Sequence, residues 1–188
     1  MIDREVWTLP EVSKLLREPQ HRLIYLCEKG VVVPDLGEAH GRGSSRRFSK
    51  RNLLEFALAL ALRRLALPVG VVAAMTYVLR RFAERLRKSD RGFDVVDSLR
   101  ASNAPDLRIL VKDGEELFFS ISRAGEETRL FGGIDFSKLG GRNRVPPLSK
   151  SRNVAAATIA AFGGPEKSRC VRIEVSVTEI ARGLELHT

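Results

Sequence analysis

The residues best suited to chemistry in this chain are Glu18, Gln20, His21, Arg22, Tyr25 and Lys29, followed by Arg42, Arg46 and Arg47. The spacings of four, three and four that run from Glu18 through Arg22 and Tyr25 to Lys29 place those four on one side of a helix, with Gln20 and His21 at its start. The chemistry of such a set is hydrogen bonding to bases and phosphates. Glutamine pairs with an adenine edge, arginine with guanine, and a tyrosine hydroxyl reaches a phosphate. The solvated face of a small helical hairpin uses the same residue types, so both readings stay open on this segment. Arg42, Arg46 and Arg47 sit in and beside the glycine-rich stretch 37–45, where guanidinia could lie along a phosphate backbone or simply decorate a charged loop. His40 has no Cys, His or carboxylate partner at ligand spacing and is read as a surface residue.

The elements that must position these side chains are legible in the hydrophobic pattern. Leu9, Val12, Leu15 and Leu16 repeat at helical spacing, with Thr8 placed to cap, Pro10 in the first turn and Glu11 near the positive helix end. Arg17–Pro19 interrupts that helix. A second follows, with Leu23, Leu26 and Cys27 on its inner face and Gly30 as its stop. Val31–Val33 is a short β-prone run closed by Pro34, and with the arginines before Phe48 it suggests a β-hairpin wing that one aromatic ties to the core. Ser49 is placed to cap the next helix, which reads from Lys50 to Leu67 and is apolar on nearly every side from Leu53 to Leu62, as in a helix buried between neighbours. Pro68 and Gly70 restart a helix with an inward stripe of Val71, Met75, Val78, Phe82 and Leu86. Arg80, Arg81, Arg85, Arg87 and Lys88 ride elsewhere, to contact phosphate or to solubilise.

From Thr8 to about Phe82 the chain resembles the MerR superfamily of bacterial transcription regulators. The residues that carry the resemblance come in the family's order: two helices up to Glu28 and Gly30, the apolar Val31 and Val32, Pro34, then Arg46 and Phe48, then Ser49 and Leu53. The resemblance implies a winged helix-turn-helix whose second helix enters the major groove of duplex DNA and whose wing lies on the backbone. It also implies a homodimer on a pseudo-palindromic site. Where the family places an arginine and two aromatics in the second helix, this chain has Ile24, Tyr25 and Leu26. His21 or Arg22 would then take over base contact, or binding would be less sequence-selective.

Composition bounds these readings. At 188 residues and 44% hydrophobic the chain has material for a packed core in one large or two small domains. Its charge of +9 is lopsided: residues 1–89 hold 17 Lys/Arg against 9 Asp/Glu, whereas 90–188 hold 15 against 14. Basic character concentrated in the N-terminal half suits a polyanionic partner, through release of counterions, and suits equally a merely soluble basic surface. Cys27 and Cys170 form neither a zinc pair nor a disulfide framework, the N-terminus does not read as a signal peptide, and no apolar run approaches membrane-spanning length. A cytoplasmic location is expected.

The C-terminal half changes pattern. Residues 90–106 read as a polar linker with a helical turn around Val95–Arg100; Leu107–Val111 and Leu117–Ile121 as a hairpin about Asp113-Gly114; Thr128–Phe131 as a third strand. A loop-rich stretch over 136–150, an alanine-rich helix over Asn153–Phe162, a strand over Val171–Val177 and a capped helix over Thr178–Leu186 complete it. Gly132-Gly133 and Gly140-Gly141 lack the context of a phosphate loop and read as turn residues; Cys170 reads as a packed small residue, and His187 stands alone at the tail. No catalytic set emerges, so an enzyme, a cofactor and a metal are not expected.

The expectation is therefore an α+β chain: a MerR-like winged helix-turn-helix with trailing helix over 1–89, a linker over 90–106, and a small α+β effector or dimerisation domain over 107–188. Its expected function is that of a sequence-preferring, DNA-binding transcriptional regulator using Gln20, His21, Arg22, Tyr25, Arg42, Arg46 and Arg47 on double-stranded DNA. A small-molecule or protein effector at the C-terminal domain stays open. The alternatives are an architectural or recombination-accessory DNA-bending protein, and a protein-interaction module that has lost DNA binding.

Overall fold

The computed structural model describes residues 6–36, 46–89, 94–112, 116–125, 128–135, 172–184 and 186. Helix and sheet are both present, and the chain is α+β. It divides into two compact units, one made of Met1–Asp97 with Ile180–Thr188 and the other of Ser98–Glu179.

In the first unit β1 (Trp7–Thr8) leads directly into α1 (Leu9–Leu16). The Glu11 carboxylate reaches back to accept from the Thr8 amide and the Thr8 hydroxyl, each at 2.8 Å, which puts negative charge at the positive helix end. Arg17 stops α1 in left-handed backbone at φ 54°. The Ser13 hydroxyl then donates to the Glu18 carbonyl at 2.6 Å, and the Glu18 amide donates to the Ser13 carbonyl at 3.0 Å. Fixed by that double bond, the chain enters α2 (Gln20–Glu28) through Pro19 in extended backbone. Leu23 and Leu26 are the buried residues of α2, and Gly30 at φ +68° ends it, a conformation glycine adopts without a Cβ clash.

Val31–Val33 does not form the expected strand. Val31 and Val32 are buried, and side chains take up two carbonyls of the segment: Thr76 Oγ1 donates to Val31 O at 2.8 Å and Asn52 Nδ2 to Val33 O at 2.9 Å. The partner of β2 (Arg47–Phe48) is instead β1, with Trp7 opposite Phe48 and Thr8 opposite Arg47 in an antiparallel pair. Phe48 does anchor this segment to the core, as its sequence position suggested. Its ring meets Phe56 edge-on at 5.2 Å between centroids.

The third helix, α3 (Lys50–Arg64), is capped by Ser49, whose hydroxyl accepts from the Asn52 amide at 3.3 Å. It is shorter than the pattern suggested, since Ala66 turns left-handed at φ 58°. Leu53, Leu54, Phe56, Leu58, Ala59 and Leu62 are all buried, which explains its apolar character on nearly every side. In α4 (Val69–Ser89) the expected stripe is partly displaced: Met75 and Val78 are buried, but Val71 and Phe82 are only half-buried, while Val72, Ala74, Thr76, Leu79 and Ala83 go inside. The helix is covered over a wider arc than one stripe. Asp94 caps α5 (Val95–Arg100) by accepting from the Val96 and Asp97 amides.

The second unit is built on a four-stranded antiparallel sheet in the order β5-β4-β3-β6, from β3 (Asp106–Lys112), β4 (Glu116–Ser122), β5 (Arg129–Asp135) and β6 (Arg172–Ser176). Leu107, Ile109 and Val111 face Ile121, Phe119 and Leu117 across the β3–β4 pair, alternating as one sheet face requires. Gly132-Gly133 lies inside β5, not in a turn: Gly132 pairs with Phe118 and Ile134 with Leu117, leaving Gly133 as the extra residue of a bulge. Glycine is favoured at a bulge because the backbone there leaves the regular pleat. The helix after β6, α6 (Val177–Arg182), is capped by Ser176 Oγ, which accepts from the Glu179 amide at 3.1 Å. The Asp113-Gly114 turn, Gly140-Gly141, the alanine-rich 153–162 segment, Cys170 and His187 fall outside the described residues.

Candidate nucleic-acid interface

Helix α2 buries Leu23 and Leu26 and turns its other side out. Gln20, His21, Arg22, Tyr25 and Lys29 are exposed, and the Lys29 ammonium stands 5.7 Å from the Tyr25 ring centroid in a cation–π arrangement. Tyr25 is 40% exposed, high for so large a ring. The face is a mixture of hydrogen-bonding and cationic groups on one helix.

Arg22 is not loose on this surface. Its Nη1 donates to Glu18 Oε2 at 3.0 Å, and Arg64 at the end of α3 approaches the other oxygen of the same carboxylate at 3.7 Å. Arg46 and Arg47 lie at the start of β2, Arg46 half-buried and Arg47 exposed. Arg46 is close enough to Cys27 on α2 to act on its thiol: burial pushes Cys27 up to about 11, and the Arg46 charge opposes that rise. The charge of Arg46, just before β2, is thus felt at the second helix. Arg42 and His40 lie outside the described residues.

Beneath this surface a polar network holds the turn after α2, and the sequence pattern did not single it out. Glu55 of α3, fully buried, receives Arg80 Nε and Nη2 at 2.8 Å each, and Asn52 Nδ2 at 3.3 Å. Arg80 also reaches the Val31 carbonyl at 3.4 Å, the same oxygen that Thr76 holds. Asn52 Oδ1 accepts the Asp35 amide at 3.0 Å, while the Asp35 carboxylate accepts from Ser49 and Arg51. Two helices thus fix residues 31–35, and through them the C-terminal end of α2. Burial raises the pKa of Glu55 while the Arg80 bond pulls it down; desolvation likewise opposes the charge on Arg80, but the bond to Glu55 prevails and raises its pKa.

Arg80 is therefore a structural partner of Glu55. Arg64 and Glu18 also take on a joint role that spacing could not reveal, since they lie on different elements and meet only in the fold. Among the described residues no three His, Cys, Asp or Glu side chains converge as metal ligands would, and no helix is long and apolar enough to cross a membrane. No protein-family model matches the chain, and no curated protein matches it in sequence.

Proposed function

We propose that the protein is a sequence-preferring, DNA-binding transcriptional regulator of MerR-like type, built on a winged helix-turn-helix at its N-terminal end and acting as a homodimer. In this reading α2 enters the major groove with Gln20, His21, Arg22 and Tyr25, and Arg42, Arg46 and Arg47 lie on the phosphate backbone. The observation that carries it is the outer face of α2, where exposed hydrogen-bonding and cationic side chains stand on a helix whose entry is locked by Ser13 and whose exit is held by Asn52, Thr76 and Arg80. A rigid, charged, groove-sized helix with no apolar stripe on its outer side suits duplex DNA better than it suits a protein groove. The basic excess of the N-terminal half points the same way.

An architectural, DNA-bending role is the second reading, favoured by Ile24, Tyr25 and Leu26 standing in the second helix where an arginine and two aromatics would supply base contact. Retention of genomic fragments on the purified protein across a salt series separates the readings. A regulator enriches a short inverted repeat with affinity that falls steeply as salt rises, whereas an architectural factor retains fragments uniformly.

A further inference from the structure

Glu18, just before α2, joins a cation of α2, Arg22, to one at the end of α3, Arg64. Its side chain is 11% exposed, against 62% for Arg22 and 78% for Arg64, and both guanidinia approach it, at 3.0 and 3.7 Å. Its backbone is bonded to Ser13 in both directions, so the carboxylate springs from a fixed point. A guanidinium carries five N–H donors, and the contact made by Arg22 Nη1 uses one of them.

We infer that Glu18 is a specificity-determining positioning residue of the DNA-facing surface, an inference that rests on the DNA-binding reading above. Two physical effects follow from its place. An arginine already held in one orientation loses less conformational freedom when it meets a base edge, which favours the one duplex sequence that presents the right acceptor there. A negative charge between two exposed arginines also cancels part of the attraction to phosphate, the component of binding that every sequence shares. The first effect widens the gap between preferred and random DNA; the second weakens binding to both. Glu18 itself touches neither bases nor phosphates; it acts through Arg22 and Arg64.

The test compares affinity for a duplex selected from a random pool with affinity for a random-sequence duplex, over a salt series, for the wild-type protein, Glu18→Gln and Arg22→Lys. Glu18→Gln keeps size and polarity but removes the charge. It should bind random duplex about fivefold more tightly at low salt, with a steeper salt slope, while the preferred duplex gains less because Arg22 is no longer held, so that the preferred-to-random ratio narrows. Arg22→Lys keeps the charge and loses the planar fork, so it should narrow the ratio from the other side, by weakening the preferred site alone. A role confined to supporting the turn between α1 and α2 would lower the melting temperature and leave the ratio untouched. An unchanged ratio in folded Glu18→Gln overturns the inference. If that variant does not fold, an unchanged ratio in Arg22→Lys overturns it. A wild-type protein that binds no duplex at low salt overturns the DNA-binding reading and this inference together; binding without the change in ratio overturns this inference alone.

Discussion

Arg80 closes on Glu55 through two hydrogen bonds of 2.8 Å, although the Glu55 side chain is fully buried and Arg80 is only 12% exposed. A carboxylate so placed is tolerated because the guanidinium satisfies both of its oxygens, with Asn52 adding a third donor. The pair also sets the position of the Val31 carbonyl, and with it the turn that leaves α2. Removing one member leaves the other in a dry site without its partner. Arg80→Met should destabilise the protein by about 3 kcal/mol, whereas Glu55→Met with Arg80→Met should recover most of that loss. Chemical denaturation of the single and double variants checks this; additive losses would contradict it.

The same pair has a pH signature. Burial raises the native pKa of Glu55 above its ordinary 4.5, so the native state holds this proton more tightly than the unfolded chain does. Its contribution to stability is therefore present in acid and is lost as pH rises from 4.5 through the raised native value. Melting temperatures of the wild type measured relative to Glu55→Gln should fall across that window. A flat difference would contradict the direction of the shift.

Cys27 reports on the root of the arginine-bearing segment. With burial pushing its thiol up to about 11 from 9.0, the thiolate fraction near neutral pH is about 100-fold below that of a free thiol, and alkylation should slow accordingly in a Cys170→Ser background. Arg46→Ala should slow it further, because the guanidinium favours the thiolate. Faster alkylation in Arg46→Ala would mean that the segment opens when the charge is lost.

Ala66 ends α3 in left-handed backbone at φ 58°, where a Cβ is crowded against the carbonyl that follows. Ala66→Gly should relieve that strain and stabilise the protein by about 0.5–1 kcal/mol, after the entropy cost of glycine. Thermal denaturation decides; a lower midpoint would show that the turn relies on the methyl group.

The elements that carry the candidate site could be read from the chain because their signals are local. Thr8, Glu11, Gly30 and Ser49 mark the helix ends by hydrogen bonding or backbone freedom within a few residues, and Leu23 and Leu26 mark an inner face by spacing. What escaped was non-local. Nothing near Val31 reveals that Thr76 and Asn52 will take the carbonyls of Val31 and Val33, so a β-prone triplet that would otherwise extend is bent into a pinned turn. Glu55 and Arg80 lie 25 residues apart, and each alone resembles an ordinary surface charge. Gly132-Gly133 carries the composition of a turn, and only the register against Leu117 and Phe118 shows it to be a bulge within a strand.

In the proposed function the outer face of α2 and the arginines before Phe48 bind duplex DNA. The affinity of the wild type and of Arg22→Ala with Arg46→Ala for duplex DNA over a salt series decides it. Loss of one base-reading and one backbone arginine should weaken binding at low salt by tenfold or more and reduce the slope of log affinity against log salt by about 1. An affinity and a slope that stay at their wild-type values would mean that this face does not bind DNA.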